Sequence, residues 1–357
     1  MTSWDQAGFR ERLQKALDDF LDEMAERLAP MGPDAARLLD EGRRCVSGGK
    51  RFRAAFCWWG YRAVADVDDE AAQEEALLRA CAALEMLHAS ALVHDDYMDA
   101  SDTRRGRPAT HRAFARAHRD DRWRGDADQY GAAAAILLGD LLLSWSDELL
   151  RRCGLPADRV SAALEIFDSC RTEVSTGQFL DVSVQARGRA DVDAAMTVLR
   201  YKSAKYSIER PLHIGASLAG AGPAQLAELT AFGLPLGEAF QLRDDLLGVY
   251  GDPAATGKPA GDDLVEGKRT VLVALALDGA TAEDAARLDA ALGSPLDQAQ
   301  VSELRRIIDY SGAHDHVEKV IGELVTHALG RLDAAGVQEP AREVLRELAA
   351  AATDRVV

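Results

Sequence analysis

Three aspartates and two adjacent arginines lie within one short stretch of this 357-residue chain, and their types and spacing suit divalent-metal and phosphate chemistry. The stretch begins at Glu85 and His88, runs through Leu92-Val93-His94-Asp95-Asp96-Tyr97-Met98-Asp99, and continues to Arg104-Arg105-Gly106-Arg107-Pro108 and His111. On a helix of about 3.6 residues per turn, Asp95 and Asp99 lie one above the other on the same face. Like charges at that spacing repel, so a cation is expected between them. Hard carboxylate oxygens suit Mg²⁺, which usually binds one or two carboxylates together with substrate phosphates. The planar forks of Arg104 and Arg105 match phosphate oxygens. Acidic helix ends are commonly no more than solvated faces. Here an apolar run leads straight into the aspartates and arginines follow at once, which favours metal and phosphate.

Further stretches carry the same chemistry. In Ser47-Gly48-Gly49-Lys50-Arg51-Phe52-Arg53, two glycines let the backbone approach an anion and three cations follow. A nucleotide P-loop is excluded, because Arg51 stands where its Ser or Thr belongs and Arg44 where its first glycine belongs. Gly177-Gln178-Phe179-Leu180-Asp181 is a polar patch, serving either a hydrogen-bond network or direct ligation. Lys202-Ser203 offers phosphate one charge and one neutral donor. Phe240-Gln241-Leu242-Arg243-Asp244-Asp245-Leu246-Leu247-Gly248 is a second acidic stretch, and Lys258 follows in a Gly- and Pro-rich loop with Asp262, Asp263 and Lys268. Asp18-Asp19 has no basic cluster after it and reads as a solvated face; Lys205 reads as surface, and His314-Asp315-His316 as a surface loop.

Helices must position these groups. Hydrophobic content is 47% and aromatic content only 6%, a composition that suits helices better than strands. Phe9, Leu13, Leu17, Phe20, Met24 and Leu28 predict an amphipathic helix over 7–29. One long helix over 72–99 delivers the first aspartates at its C-terminal end, where the helix dipole is negative and makes a counter-cation more necessary. Residues 112–130 read as a polar surface loop or extended link, 131–152 as a buried helix, and 281–357 as helices separated by turns at 293–295 and 330–336. No run is read as a membrane span, and the N-terminus carries no leader pattern, so an intracellular, cytoplasmic protein is expected. A net charge of −17 argues against nucleic acid as partner. The five cysteines form no CxxC pair and read as reduced core residues.

Taken in order, these stretches resemble the polyprenyl synthetases, the trans isoprenyl diphosphate synthases, and among them most the geranylgeranyl diphosphate synthases. The likeness runs from about Gly48 to Thr270. It implies an all-α fold: a single domain over 1–357, one large helical bundle around a central cavity, with the two acidic stretches facing each other across its mouth. It implies that isopentenyl diphosphate is held by Lys50, Arg53, His88 and Arg105. The allylic diphosphate would meet Arg104, Lys202, Ser203, Gln241 and Lys258, with Asp95, Asp99 and Asp244 as ligands of three Mg²⁺ ions. Lys202 and Lys258 join the aspartates in the catalytic set, and a homodimer is implied. Two positions depart from the family pattern: Ala54 stands for a usual Pro, and Gly248 for the last Asp of the second acidic stretch.

The product tail is expected to run back along the helix that carries Asp95, where one turn rises about 5.4 Å, close to one isoprene unit. Ser90 and Ala91 form the first floor and are small; Leu87 is bulkier and lies a turn further back. A C20 product is therefore expected, with a longer polyprenyl chain as the alternative. A class I terpene cyclase needs no isopentenyl site, so Lys50, Arg53 and Arg105 argue against it. A non-catalytic subunit of such an enzyme would be expected to lack the aspartates.

Overall fold

Apolar residues spaced by three and four become helices almost throughout the computed structural model, which describes residues 4–65, 71–188, 191–251 and 261–354. Among these residues the only strands are β1 (Thr103–Arg104) and β2 (Arg107–Pro108), a two-residue antiparallel pair. The chain divides into two compact units, residues 1–58 with 65–164, and 59–64 with 165–357.

The first unit holds α1 (Gln6–Leu28), α2 (Pro33–Cys45), most of α3 (Phe52–Arg62), α4 (Ala71–Met98), α5 (Thr110–Asp120), α6 (Ala127–Arg151) and the start of α7 (Ala157–Arg187). Asp5 caps α1 by accepting from the Gly8 N–H at 2.9 Å, and the apolar face of that helix is buried. Helix α4 packs on α6 and α1. It is apolar on nearly every side, with a hydropathy that would suffice for a membrane span, yet 78% of that window is buried within the protein. Its burial is that of a core helix, which is apolar all round for the same reason that a membrane helix is. Trp58 is a core residue, its ring 5.6 Å from that of Phe9.

The second unit continues α7 and adds α8 (Val192–Val198), a π-helical segment (Leu199–Glu209), α9 (Arg210–Ala219), α10 (Pro223–Tyr250), α11 (Asp262–Glu266), α12 (Val271–Gly279), α13 (Ala282–Ala291), α14 (Gln298–Tyr310), α15 (Ala313–Ala334) and α16 (Ala341–Thr353). Helix α10 packs on the π-helical segment and on α15. The approach is closest at Gly237, where a Cβ would stand 2.5 Å from the Ala204 carbonyl oxygen.

Three expectations need correction. Of residues 112–130, expected as a loop or link, those up to Asp120 belong to α5 and those from Ala127 to α6, because His111, Phe114, Ala115 and His118 give α5 one buried face despite the charges around them. His314-Asp315-His316 lies in the first turn of α15, where the His314 ring meets the Tyr250 ring edge-on at 4.9 Å. Gly330 lies inside α15, which runs on to Ala334, so the turn expected over 330–336 opens only at Ala335. Lys258 lies outside the described residues.

Candidate active site

In the first unit the site is built on the end of α4. The Asp99 N–H donates to the Asp95 carbonyl at 2.8 Å, so the helical ladder carries past Met98 and keeps the two aspartates one turn apart. Both are half-buried, whereas Asp96 between them is buried. Asp96 Oδ1 accepts from Arg104 Nε at 2.8 Å and from Nη2 as well. That pair folds the β1–β2 turn back onto the helix end. Arg105, in the left-handed region at φ 51°, donates from Nη1 to the Ser47 carbonyl at 2.8 Å. This contact ties the arginine turn to the Gly48-Gly49-Lys50 loop. A Cβ on Gly49 would sit 3.0 Å from the Arg105 guanidinium, and the residue itself is at φ 96°, so glycine is required twice over.

Beneath that loop Arg51 is buried, its Nη1 donating to Glu85 Oε2 at 2.9 Å and its Nη2 to the Val46 carbonyl at 2.6 Å. One turn along α4 from Glu85 stands His88. Its pKa is held well below the usual imidazole value, first by burial and then by the charges of Arg53, Arg105, Arg104 and Arg51. Four guanidinium groups thus act on one neutral imidazole within a chain whose net charge is −17. Lys50, at the rim of the same loop, is exposed. Glu85 and Asp96 balance Arg51 and Arg104, and the remaining positive charge of Lys50, Arg53 and Arg105 favours an anion.

The predicted chain-length residues separate here. Ser90 is buried and its hydroxyl donates to the Gly139 carbonyl of α6 at 2.8 Å, and Leu87 is 3% exposed within the core. Of the three, Ala91 alone is partly exposed. Gly139 has a clear purpose, since any Cβ there would overlap the His94 ring.

In the second unit, α7, the π-helical segment and α10 gather the remaining residues. A Cβ on Gly177 would overlap the backbone nitrogen of Lys202, so glycine lets α7 and the π-helical segment touch. Lys202 Nζ then reaches Asp181 Oδ2 at 2.5 Å. The π-helix widens the backbone at Lys202 and Ser203, a distortion often found at functional sites. Lys205, expected at the surface, is instead drawn into the interior, 2.9 Å from Glu173 Oε1. Arg210 pairs with the same Glu173 through two nitrogens, at 2.7 and 2.6 Å. The signal for this network was present in the sequence as opposite charges four residues apart, Lys205 and Glu209, leading into an apolar run.

On α10, Asp244 is half-buried and Asp245 buried. Gln241, expected at the allylic diphosphate, donates to Asp245 Oδ1 at 2.8 Å. Asp245 is pushed up to about 8, first by burial and then by the charges of Asp263 and Asp244, while the Gln241 bond lowers it. Each Asp-Asp pair therefore splits alike: the second residue is locked inward and the first stays at the helix surface.

Among the described residues, no three His, Cys, Asp or Glu side chains are gathered into a self-sufficient metal cage. Mg²⁺ needs no such cage, since it completes its shell with water and phosphate oxygens. The carboxylates of Asp95 and Asp99 in the first unit, and of Asp244 in the second, are half-buried hard oxygen donors of the kind Mg²⁺ takes.

Residues 37–310 match the profile of the polyprenyl synthetases. The chain belongs to the polyprenyl synthetase family. It is 33% identical over 305 residues to a short chain isoprenyl diphosphate synthase of Methanothermobacter thermautotrophicus, covering 85% of this chain and 86% of the relative. It is 30% identical over 337 residues to a geranylfarnesyl diphosphate synthase of Natronomonas pharaonis, covering 91% and 92%. Among solved structures it resembles geranylgeranyl pyrophosphate synthase from Corynebacterium glutamicum, complexed with isoprenyl diphosphate and magnesium. The TM-score is 0.95, with 40% identity over 99% of this chain and 100% of that one. This polyprenyl synthetase is thus an all-α prenyltransferase, an isoprenyl diphosphate synthase.

Proposed function

We propose that this enzyme joins isopentenyl diphosphate head-to-tail to an allylic diphosphate and releases geranylgeranyl diphosphate. The observation that carries the reading is the joining of the arginine turn to the Gly48-Gly49-Lys50 loop through Arg105 and the Ser47 carbonyl, beside a buried His88 that feels the charges of Arg53, Arg105, Arg104 and Arg51. A metal-dependent cyclase of allylic diphosphates has no use for a second cationic pocket.

Lys50, Arg53, Arg105 and His88 hold the isopentenyl diphosphate, with His88 able to offer a hydrogen bond without adding charge. Lys202, positioned by Asp181, and Ser203 meet the allylic diphosphate together with Lys258, and Arg104 lends charge from its seat on Asp96. Gln241 acts indirectly, by fixing Asp245 beside Asp244. Asp95, Asp99 and Asp244 are the carboxylates that would hold Mg²⁺, about three ions, which supply neutralisation of the departing diphosphate. The allylic C–O bond breaks with its electron pair leaving on diphosphate. The isopentenyl double bond then attacks the allylic cation at C1, and a proton lost to the departing diphosphate restores neutrality. No side-chain nucleophile takes part, so the protein's task is charge placement and exclusion of water.

The C20 length rests on the small, partly exposed Ala91 one turn before Asp95. We take the two compact units as one catalytic domain over 1–357, supported by α3 and α7, each of which contributes residues to both. A homodimer is supported by large apolar side chains on α6, Ile136 at 44% and Leu137 at 61% exposed. The free cysteines, four of them buried, support a reducing cytoplasmic setting. The deciding experiment mixes the purified protein with Mg²⁺, labelled isopentenyl diphosphate and C5, C10 or C15 allylic primers. A C20 product is expected. A C15-only product overturns the length, and hydrocarbon release without isopentenyl turnover overturns the reaction.

A further inference from the structure

Lys205 and Arg210 lie five residues apart and meet on one carboxylate. On an α-helix of about 3.6 residues per turn, side chains five apart point about 140° away from each other. A π-helix, whose hydrogen bonds span five residues, brings them to the same side. The Arg210 N–H donates to the Lys205 carbonyl, which is such a bond. Both side chains converge on Glu173 of α7. Lys205 Nζ lies 2.9 Å from Oε1, and Arg210 donates to Oε2 from Nε at 2.7 Å and to Oε1 from Nη2 at 2.6 Å. Lys205, Arg210 and Glu173 are only 15%, 17% and 19% exposed, so these charges are poorly screened by solvent. Glu173 also belongs to a stripe: Glu173, Gly177 and Asp181 are spaced by four and share one face of α7. A Cβ on Gly177 would fall 2.4 Å from the Lys202 nitrogen, and Asp181 Oδ2 takes Lys202 Nζ at 2.5 Å. The same stripe therefore holds Lys202, Lys205 and Arg210.

We propose that Glu173 is a positioning residue for the allylic diphosphate: by drawing Lys205 and Arg210 together it holds the segment Leu199–Glu209 in π register, and that register aims Lys202 and Ser203. The inference rests on Lys202 and Ser203 meeting the allylic diphosphate. A π-helix is rare and seldom exceeds a single turn, so a segment of 11 residues needs an external hold. The competing register is visible in the same side chains. Lys205 and Glu209 are spaced by four, which suits an α-helical ion pair, yet they stand 3.8 Å apart, too far for a hydrogen bond. With Glu173 uncharged, Lys205 gains by closing on Glu209, Arg210 loses its reason to lie on the same side, and the segment rewinds towards α. That rewinding turns Lys202 and Ser203 away from the direction they now face.

The test is steady-state kinetics of the purified enzyme with Mg²⁺, the C15 allylic primer and isopentenyl diphosphate, with thermal melting of every variant. Glu173→Gln is expected to raise the primer KM about tenfold, the scale of one lost hydrogen bond to a charged group, and to leave the isopentenyl diphosphate KM within about twofold. Lys205→Met removes one cation and spares the pair of Glu173 with Arg210, so a primer KM raised about threefold is expected, with melting close to wild type. Val273→Ala, a cut in the buried face of α12, is expected to lower the melting temperature with both KM values unchanged, which separates lost stability from lost aim. A wild-type primer KM in folded Glu173→Gln, an equal rise in both KM values, or the same split in Val273→Ala would each overturn the proposal. If Glu173→Gln does not fold, Lys205→Met decides alone, and a wild-type primer KM there overturns it. Lys202→Met is measured in parallel: a wild-type primer KM there removes the underlying reading, whereas a raised one there with a wild-type value in Glu173→Gln removes only this inference.

Discussion

Replacing Glu85 by Leu should destabilise the protein far more than its place outside the substrate contacts suggests. Glu85 and Arg51 face each other at 2.9 Å with 5% of each side chain exposed. Glu85 also accepts from the Ala54 N–H at 3.4 Å, while Arg51 holds Gln14 at 2.5 Å and the Val46 carbonyl at 2.6 Å. Removing one partner of a buried pair leaves the other charge uncompensated in a poorly solvated place, at a cost of about 3–5 kcal/mol. The bonds to Gln14 and Val46 survive, which sets the expectation near the lower end, about 3 kcal/mol. Glu85→Leu together with Arg51→Met removes both charges, and such double replacements are often close to neutral, so most of the loss should return. Urea unfolding of the two single variants, the double variant and the wild type gives the coupling directly, provided the slopes agree. A Glu85→Leu loss within about 1 kcal/mol of wild type, or a double variant no more stable than that single one, would refute the argument. Arg51 also stands in the left-handed region at φ 59°, and it joins the Gly-Gly-Lys loop to α4. The pair therefore orders the Gly48-Gly49-Lys50 loop against α4.

Other expectations follow from single contacts. His213, hydrogen-bonded to Thr230 at 3.0 Å, is lowered to about 4, first by burial and then by Arg210. The unfolded chain therefore takes up this proton between about pH 6.5 and 4 while the folded one does not, so stability should fall with acidification by about 3 kcal/mol across that window. His213→Gln should flatten that part of a stability-versus-pH curve, and an unaltered acid limb would rule the assignment out. Gly177→Ala should force α7 from the π-helical segment, costing about 1–3 kcal/mol and weakening use of the allylic primer through loss of the Lys202–Asp181 pair; wild-type primer KM and melting would contradict the close approach. Ala91→Phe should shorten the product, and unchanged chain length by chromatography would show that the tail does not pass Ala91.

Much of the site was legible because the chemistry demands residue types at helical spacing. Asp95 and Asp99 needed only the period of a helix, and the helix was plain from its apolar run. What could not be read was how adjacent identical residues divide their tasks. Nothing in Asp95-Asp96 says that the second turns inward to Arg104, because that pairing depends on a two-residue β turn closing eight residues later. Lys205 misled for a similar reason. A lysine in a polar string looks solvated until the π-helical register turns it toward Glu173. Residues 112–130 looked like a loop or link because they are so heavily charged, although His111, Phe114, Ala115 and His118 define a buried stripe on α5.

The two Asp-Asp pairs show why pattern and environment must be read together. In both, the second aspartate is buried and its partner decides what that burial means. Asp96 meets a guanidinium, so its negative charge is balanced on the spot. Asp245 accepts from the neutral amide of Gln241, and burial first, then the charges of Asp263 and Asp244, push its carboxyl up to about 8 against the lowering pull of Gln241 and Lys268. A protonated carboxyl can donate as well as accept, which lets it sit beside other acids without adding to their repulsion. The same two letters therefore yield a closed ion pair at the end of α4 and a neutral prop inside α10. In each case the first aspartate, Asp95 or Asp244, is only half-buried, so the two members of each pair differ in exposure as well as in partner.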